Sequence, residues 1–486
     1  MDTTVGWMNG LLWGSVLIYL LLGVGIYFTI RLGFIQVRHF GHMFSVMKNS
    51  RHGDKSGISS FQALCTSLAA RVGTGNLAGV AVALTLGGPG AIFWMWLIAF
   101  IGMATSFVES TLAQLFKIRD EQGNFRGGPA YYMERGLGAR WMGIAFSLCL
   151  ILAFGLVFNA VQANSIAAAM DQAFAVPHWL SGVAVAAVTA LVIFGGLRSI
   201  AKVAEILVPL MALAYLAVAL VVVVVNITEL PAIFALIVKS AFGLEEAAGG
   251  ALGYTIAQAM MNGIKRGLFS NEAGMGSAPN AAATAAPTPR HPASQGYVQM
   301  LGVFIDTLVI CSATAAIILM SGVDIGNGME GVTLTQAALS SQVGGWGGSF
   351  VAIALLFFAF TSIIANYSYA ETNLVFLDPR HKVGLTINVF RMVVLAMVLF
   401  GALSELPLVW AMADASMGLM AVINLVAILA LSGLAFKLAR DYHCQQKAGK
   451  TPYFDVRKFP ELKDKLEPGV WDCESPDKAK AAQKAA

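Results

Sequence analysis

Charge is what this sequence has least of. Asp, Glu, Lys and Arg make up only 12% of its 486 residues, about half the usual share of a soluble domain, so a water-surrounded globule of this size is excluded. Cysteine is scarce too. Cys65, Cys149 and Cys311 fall in apolar runs, Cys444 and Cys473 fall near the C-terminus, and no pair has C-x-x-C spacing, which points to neither disulfides nor a zinc site. There is no H-E-x-x-H and no G-x-S-x-G, so the familiar hydrolase signatures are missing and no catalytic residue is assigned. No basic residue precedes the first apolar run, only Asp2. Without the positive n-region of a cleaved signal peptide, the first span is expected to stay in the mature protein. The net charge of +4 sits in loops and tail, where it serves topology and lends nucleic-acid binding little support.

What fills the chain is apolar: 57% hydrophobic residues and a mean hydropathy of +0.71. A helical span needs roughly 20 such residues, which predicts an all-α polytopic membrane protein with about eleven crossings. They are expected near 12–31, 60–87, 89–116, 141–170, 180–197, 203–226, 250–286, 295–321, 348–377, 384–403 and 407–436. Arg31, Arg38, Lys48, Arg51 and Lys55 follow the first span, and Lys117, Arg119, Arg126, Arg135 and Arg140 follow the third. By the positive-inside rule both loops are cytoplasmic. The alternate loops hold Asp171, Glu229, Glu245, Glu246, Asp324 and Glu330, with Lys239 as the exception. An odd number of spans then puts the N-terminus outside and the basic C-terminal tail inside.

Two of these spans are interrupted by glycine and small polar residues. One carries Ala70-Arg71-Val72-Gly73-Thr74-Gly75-Asn76, the other Phe269-Ser270-Asn271-Glu272-Ala273-Gly274-Met275-Gly276-Ser277-Ala278-Pro279. Unpaired backbone groups are costly in hydrocarbon, so such breaks persist where they line a cavity and meet ligands or ions. Setting the first span aside, each break opens a block of five crossings, and an odd block inverts its topology; this is the arithmetic of an inverted repeat around a transporter site. The expected divisions are an extra span and loop over 1–59, repeats over 60–226 and 227–437, and a polar tail over 438–486. From about Asp441 the tail reads as a mobile cytoplasmic extension.

Three stretches together carry a resemblance: Val72-Gly-Thr-Gly-Asn-Leu-Ala-Gly-Val-Ala81, Arg126-Gly-Gly-Pro-Ala-Tyr-Tyr-Met133 and Phe269 through Pro279. From about Phe61 to about Ala435 the chain resembles the alanine or glycine:cation symporter family. The resemblance implies a LeuT-like core of two inverted five-helix repeats, preceded here by one extra helix. It also implies sodium-driven uptake of small neutral amino acids across a bacterial inner membrane, with Na+ as coupling ion and no other cofactor.

A zwitterionic cargo needs donors at one end and acceptors at the other. The half-helix beginning near Gly75 and Asn76 offers free N–H groups and a positive dipole end for a carboxylate. The resemblance assigns Thr74, Gly75 and Asn76 to the cargo, although small residues also serve close helix packing. Around the second break, carbonyls among Ala273, Gly274, Met275, Gly276 and Ser277 suit the ammonium. Phe158, Gln162 and Asn164 share a polar and aromatic face at helical spacing. The resemblance makes Gln162 a pocket residue, while Asn164 serves equally well as an interhelical hydrogen bond. Sodium prefers oxygen ligands. Thr361 and Ser362 are hydroxyl candidates, with Ala70 and Gly73 supplying carbonyls if the ninth span faces the first break. The alternative is that both hydroxyls bond back to their own helix.

Glu272 acts as a gate, a helix cap or the counter-ion of Lys265 or Arg266, and pairing is the commoner arrangement for an intramembrane charge. Two departures from the family bear on the cargo. Arg71 stands where relatives more often carry a small uncharged residue; it snorkels, pairs with Glu109 or Asp306, or holds a second anionic group of a larger or acidic amino acid. Asn366, within Ala365-Asn-Tyr-Ser-Tyr369, replaces a small residue followed by Trp and polarises one pocket wall. Asp306, Asp414 and Glu272 keep a proton-coupled carrier open, and broken helices also permit an ion channel.

Overall fold

The computed structural model describes residues 2–48, 50, 57–120, 123–244, 255–326, 328–378 and 383–471. Arg51, Lys55, Glu245, Glu246, Cys473 and the end of the tail lie outside them. Helix α1 is Thr4–Arg31, and the first broken span is α2 (Ser60–Arg71) followed by α3 (Gly75–Gly87), bent by 49°. Next come α4 (Gly90–Leu115), α5 (Arg140–Phe174), α6 (His178–Ile193) and α7 (Gly196–Val225). After α8 (Leu230–Ala241), the second broken span is α9 (Ile256–Asn271) and α10 (Ala278–Thr284). Then follow α11 (Pro292–Leu319), α12 (Val332–Val343), α13 (Trp346–Leu377), α14 (Leu385–Leu403) and α15 (Leu406–Lys447). Among the described residues, 8 single helices are long and apolar enough to cross a membrane and the bent pair makes up to 9. The shorter α6 and the α9–α10 pair occupy the two remaining expected crossings.

The two ends of the bundle differ in charge, and this gives them neutral names. The basic face carries Arg31, Lys117, Arg126 and Arg290; the acidic face carries Asp171, Glu330 and Glu405. Both broken spans begin alike. Ser59 caps α2 and is answered by Gln62, while Thr255 caps α9 and is answered by Gln258, each a full capping box. Each cap contributes about 0.5–2 kcal/mol.

Three features differ from the sequence expectation. Helices α8 and α12 lie inside what read as connecting loops. Thr335 of α12 donates to Leu77 O at 3.0 Å, so α12 lies over α3. The tail through Trp471 is docked rather than mobile: Trp471 Nε1 donates to Leu115 O at 3.0 Å and Phe454 N to Arg290 O at 3.0 Å. Phe454, Phe459, Leu462, Val470 and Trp471 are buried, so a segment polar in composition still presents an apolar face to the bundle.

Candidate functional site

The first break is built around one missing side chain. A Cβ on Gly73 would stand 2.9 Å from Gln162 Oε1 and closer still to Ser362 Oγ. Glycine there lets α5 and α13 close on the break. Gln162 Oε1 accepts from Thr74 N at 2.9 Å and from Thr74 Oγ1 at 2.7 Å. Ser362 Oγ shares its hydroxyl hydrogen between Ala69 O at 2.8 Å and Phe358 O at 3.0 Å, whereas Thr361 Oγ1 among the described residues bonds its own helix, at Phe358 O, 2.9 Å away. Gly73, Thr74, Gln162 and Ser362 therefore meet at the carbonyl end of α2, next to Ala70. Thr74 and Asn76 are 0% exposed and Gln162 is 2% exposed.

Asn76 ties the two breaks together. Its Oδ1 accepts from Gly73 N at 3.0 Å, and its Nδ2 donates to Asp306 Oδ1 at 2.7 Å and Asp306 O at 3.1 Å. The other oxygen of Asp306 accepts from Ser270 and Thr307, both at 2.7 Å. This buried carboxylate is thus met by neutral donors from both broken spans. Gly75 lies against Phe269 and the Cα of Ser270.

The rest of the second break faces the scaffold. Gly274 and Gly276 adopt φ of 88° and 86°, which glycine alone visits freely. Gly274 N donates to Glu109 Oε1 at 3.2 Å, and Asn424 Nδ2 reaches both Gly274 O and Glu109 Oε2 at 2.9 Å. Asn424 also takes a short hydrogen bond from Tyr132. Ser277 donates to Glu272 at 2.6 Å. Among the described residues no hydrogen bond joins Gly274, Met275, Gly276 or Ser277 to Thr74 or Gln162. Phe269 and Ser270 are the residues of this span that touch the first break, which the sequence reading missed.

Glu272 is not the counter-ion of Lys265 or Arg266. Arg266 Nη2 grips both carboxylate oxygens of Asp414 at 2.6 Å, with Lys265 at 3.8 Å. Glu272 sits roughly 9 Å further along the helix axis than Arg266 and ends α9 in the left-handed region, φ 58°. It is the C-cap residue of α9 and accepts from Ser277 across the break, while Asp414 pairs with Arg266. Arg71 makes no ion pair with Glu109 or Asp306 within the described residues. Its guanidinium fills the space over Gly302 and donates to Gln299 O at 3.2 Å and Ser106 Oγ at 3.4 Å. Asn164 donates to Gly401 O and Ser404 O, the interhelical alternative. Asn366 donates to Asn159 Oδ1 at 3.1 Å, and its own Oδ1 is buried without a hydrogen-bond partner among the described residues.

Rings and ion pairs close both ends. Toward the acidic face Phe158 packs on Phe269 at 4.7 Å, Phe269 on Trp410 at 4.8 Å, and Arg266 lies 4.4 Å over Trp410. At the basic face strands β1 (Ile58–Ser59) and β2 (Ala285–Ala286) pair in parallel and tie the first broken span to the second. Gln114 and Lys117 both donate to Ala285 O, at 3.1 and 2.8 Å. Arg126, in the glycine-rich loop, pairs with Asp120 at 2.8 Å and Glu371 at 3.1 Å. Lys117 lies over the rings of Phe125 and Trp471. Burial, then Arg290 and Arg119, push its ammonium well below the usual lysine range.

A profile described as the sodium:alanine symporter family matches residues 1–456. An uncharacterized transporter of Escherichia coli (strain K12), YaaJ, is 52% identical over 470 residues, covering 96% of this chain and 98% of its own. The probable sodium/glutamine symporter GlnT of Bacillus subtilis (strain 168) is 53% identical over 455 residues, 93% of each chain. Among solved structures, MhsT in complex with L-phenylalanine matches with a TM-score of 0.57 at 14% identity, over 78% of this chain and 90% of MhsT. That likeness is one of fold, and the fold is LeuT-like.

Proposed function

Since this chain belongs to the sodium:alanine symporter family, we propose that it carries alanine or glycine into the cell together with Na+. It is a multi-pass membrane transporter and not an enzyme; its coupling ion is Na+ and its cargo a small amino acid. The basic face is read as cytoplasmic and the acidic face as outer, with the N-terminus outside, in the inner membrane of a bacterium.

The observation that carries the reading is the junction of Gly73, Thr74, Gln162 and Ser362 at the first break. The N–H of Gly75 at the start of α3 suits the cargo carboxylate, and Thr74 joins it by turning from Gln162, which holds its N–H and its hydroxyl in this closed arrangement. Ser362 Oγ with the carbonyls of Ala69, Ala70 and Gly73 suits Na+, and Thr361 supplies a second hydroxyl by turning from Phe358 O. The rings of Phe158 and Phe269 limit the space for a side chain. Residues 60–226 and 227–437 then act as two repeats rocking about this point.

Asn366 favours a second reading. Its unpartnered buried Oδ1 would accept from a side-chain amide, and the name of GlnT keeps glutamine as the alternative cargo.

The experiment is uptake of radiolabelled alanine, glycine and glutamine into proteoliposomes, with and without an inward Na+ gradient at fixed pH and voltage. Saturable Na+-driven accumulation of alanine or glycine supports the proposal. Accumulation of glutamine alone moves the reading to the second cargo, and a response to a proton gradient alone refutes Na+ coupling. Gln162→Ala and Asn76→Ala should raise the KM for cargo, and Thr361→Ala and Ser362→Ala the Na+ required.

A further inference from the structure

We propose that four histidines at the basic face, His39, His42, His291 and His443, form a latch that holds the end of α15 and the tail behind it while they are neutral, and that acidity in the compartment facing this side releases both. They are four of the chain's 7 histidines. Helix α15 has 42 residues and so is roughly 63 Å long, about twice the hydrocarbon thickness. Its last turns, with Asp441, Tyr442 and His443, therefore project past the membrane. There they meet the segment 33–48 that follows α1, the start of α11 and the docked tail.

The rings interlock. His443 lies flat on His39, with centroids 4.3 Å apart and planes 2° from parallel, and its Nε2 shares a short hydrogen bond with the hydroxyl of Tyr297 in α11. His42 stands edge-on to Tyr297 at 4.8 Å, and its Nε2 and Nδ1 meet the Tyr442 hydroxyl at 3.0 Å and Gln446 Nε2 at 3.1 Å. The surroundings of His291 fix its protonation. Its Nδ1 accepts from Ala293 N at 3.1 Å and caps α11, so its proton sits on Nε2, 3.4 Å from Asp441 Oδ2. A second proton would displace the Ala293 N–H and uncap the helix. Lys458 of the tail also grips Asp441, at 2.9 Å, and Phe454 of the tail packs edge-on against His291 at 5.9 Å. The histidines do not form a metal site: no three His, Cys, Asp or Glu side chains among the described residues are placed to share an ion.

The neighbours of these rings favour neutrality. Two stacked imidazoles cannot both take a proton without repulsion, and Arg38 and Lys447 add positive charge beside them. Burial first, and then these neighbouring charges, push His39 down and His443 down to about 4, and burial with His39 pushes His42 down. Burial also pushes His291 down, against the pull of Asp441. Asp441 is not the titrating group, because hydrogen bonds from His291 and Lys458 hold its carboxyl below its ordinary 3.8 against its burial. Each histidine thus binds a proton more weakly in the latch than at its ordinary value of 6.5. The latch is firm above that value and weakens as pH falls below it. Its release reaches far, because α15 carries Trp410 and Asp414 toward its other end and covers the acidic face with them.

Hydrogen exchange of the purified full-length protein, corrected for the intrinsic effect of pH on exchange, tests this over residues 290–297 and 442–456. From about pH 7.5 to about pH 5.5, the lowering of His443 from 6.5 to about 4 by itself raises the released population about tenfold, so corrected exchange should quicken by at least that factor. His443→Gln keeps an acceptor for Tyr297 and His291→Asn keeps a cap for α11, yet neither takes a proton. The acid step should shrink in both, by about tenfold in His443→Gln. His178→Gln, at the acidic face, should leave it unchanged. Should a buried variant fail to fold, His39→Gln, at a half-buried ring, reads the same step. No acid step in the unaltered chain overturns the latch, as does a step that the folded variants of the cluster keep in full or that His178→Gln abolishes. The latch needs no assignment of cargo or coupling ion, so these results stand whatever the uptake assay gives.

Discussion

At the acidic face the route to Thr74 is covered by side chains from two main elements, Arg266 and Phe269 of α9 against Asp414 and Trp410 of α15, with Phe158 beneath. At the basic face the same route is covered by backbone pairing between β1 and β2, by Arg126 between two carboxylates, and by a docked tail. The first closure centres on one buried carboxylate, Asp414, and a stack of rings, with α12 resting on α3 through Thr335. The second is redundant, because each contact has a neighbour doing similar work. In an alternating-access carrier this difference means that the acidic side opens through fewer broken contacts than the basic side, and that single substitutions act unequally on the two.

The largest effect should come from Asp414→Asn. It leaves the Arg266 guanidinium buried without its partner, and removing one member of a buried pair costs about 3–5 kcal/mol. Thermal unfolding of the purified protein should show a clear drop in Tm, and Arg266→Met combined with Asp414→Leu should recover most of it. An unchanged Tm in Asp414→Asn would mean that the acidic closure does not depend on this pair.

Glu371→Gln should cost less, about 1.5–3 kcal/mol for a hydrogen bond to a charged group, because Asp120 still holds Arg126. Combining it with Asp120→Asn should cost more than the sum of the two, and a double-mutant cycle reads that excess. Strict additivity would argue against redundancy at the basic face.

Trp471→Phe should be smaller again in stability. It removes one hydrogen bond to Leu115 O, about 0.5–1.5 kcal/mol, and keeps a ring beside Lys117. Its signature should be local, with faster hydrogen exchange over residues 450–471 and at Ala285 and little change at Thr74.

A final effect is a pH dependence at Lys117. Its folded-state pKa lies below the ordinary value of 10.5, so the folded protein releases this proton more readily than the unfolded chain does. Stability should therefore rise with pH from the depressed folded pKa up to about 10.5. Lys117→Met should flatten that part of the profile, and a fall in stability over the same range would contradict the assignment.

Much of this architecture is legible in the sequence, and the reasons are physical. Long apolar runs mark crossings because hydrocarbon demands them, and glycine with Thr, Asn and Ser inside a run marks a break. The matching capping boxes at Ser59 and Thr255 were also present as short patterns, S-x-x-Q and T-x-x-Q, but such patterns are too common to stand out. Helix α8 was hidden because its apolar run of 12 residues is too short to cross a membrane, and α12 because a short helix in a polar connection leaves little hydropathy signal. The docked tail was hidden because a few apolar residues spread over 450–471 become a surface only when folded. The partner of Glu272 was misread for another reason. Spacing along a helix cannot reveal that the chain turns left-handed at Glu272 and that Asp414, far away in sequence, takes Arg266.

The same limit applies to the site. Thr74, Gln162 and Ser362 were nameable from residue type and position, yet the Asn76–Asp306–Ser270 bridge joins three separate spans. Its parts were visible singly; their convergence was not.

The central claim is that cargo and Na+ share the first break, and reciprocal binding tests it most directly. Alanine Kd should be measured with and without Na+, and Na+ Kd with and without alanine, on the unaltered protein and on Ser362→Ala. The account predicts that the two ligands tighten each other by the same factor, as linkage requires, and that Ser362→Ala shrinks this factor. Alanine binding that is saturable but indifferent to Na+ at every concentration would contradict it.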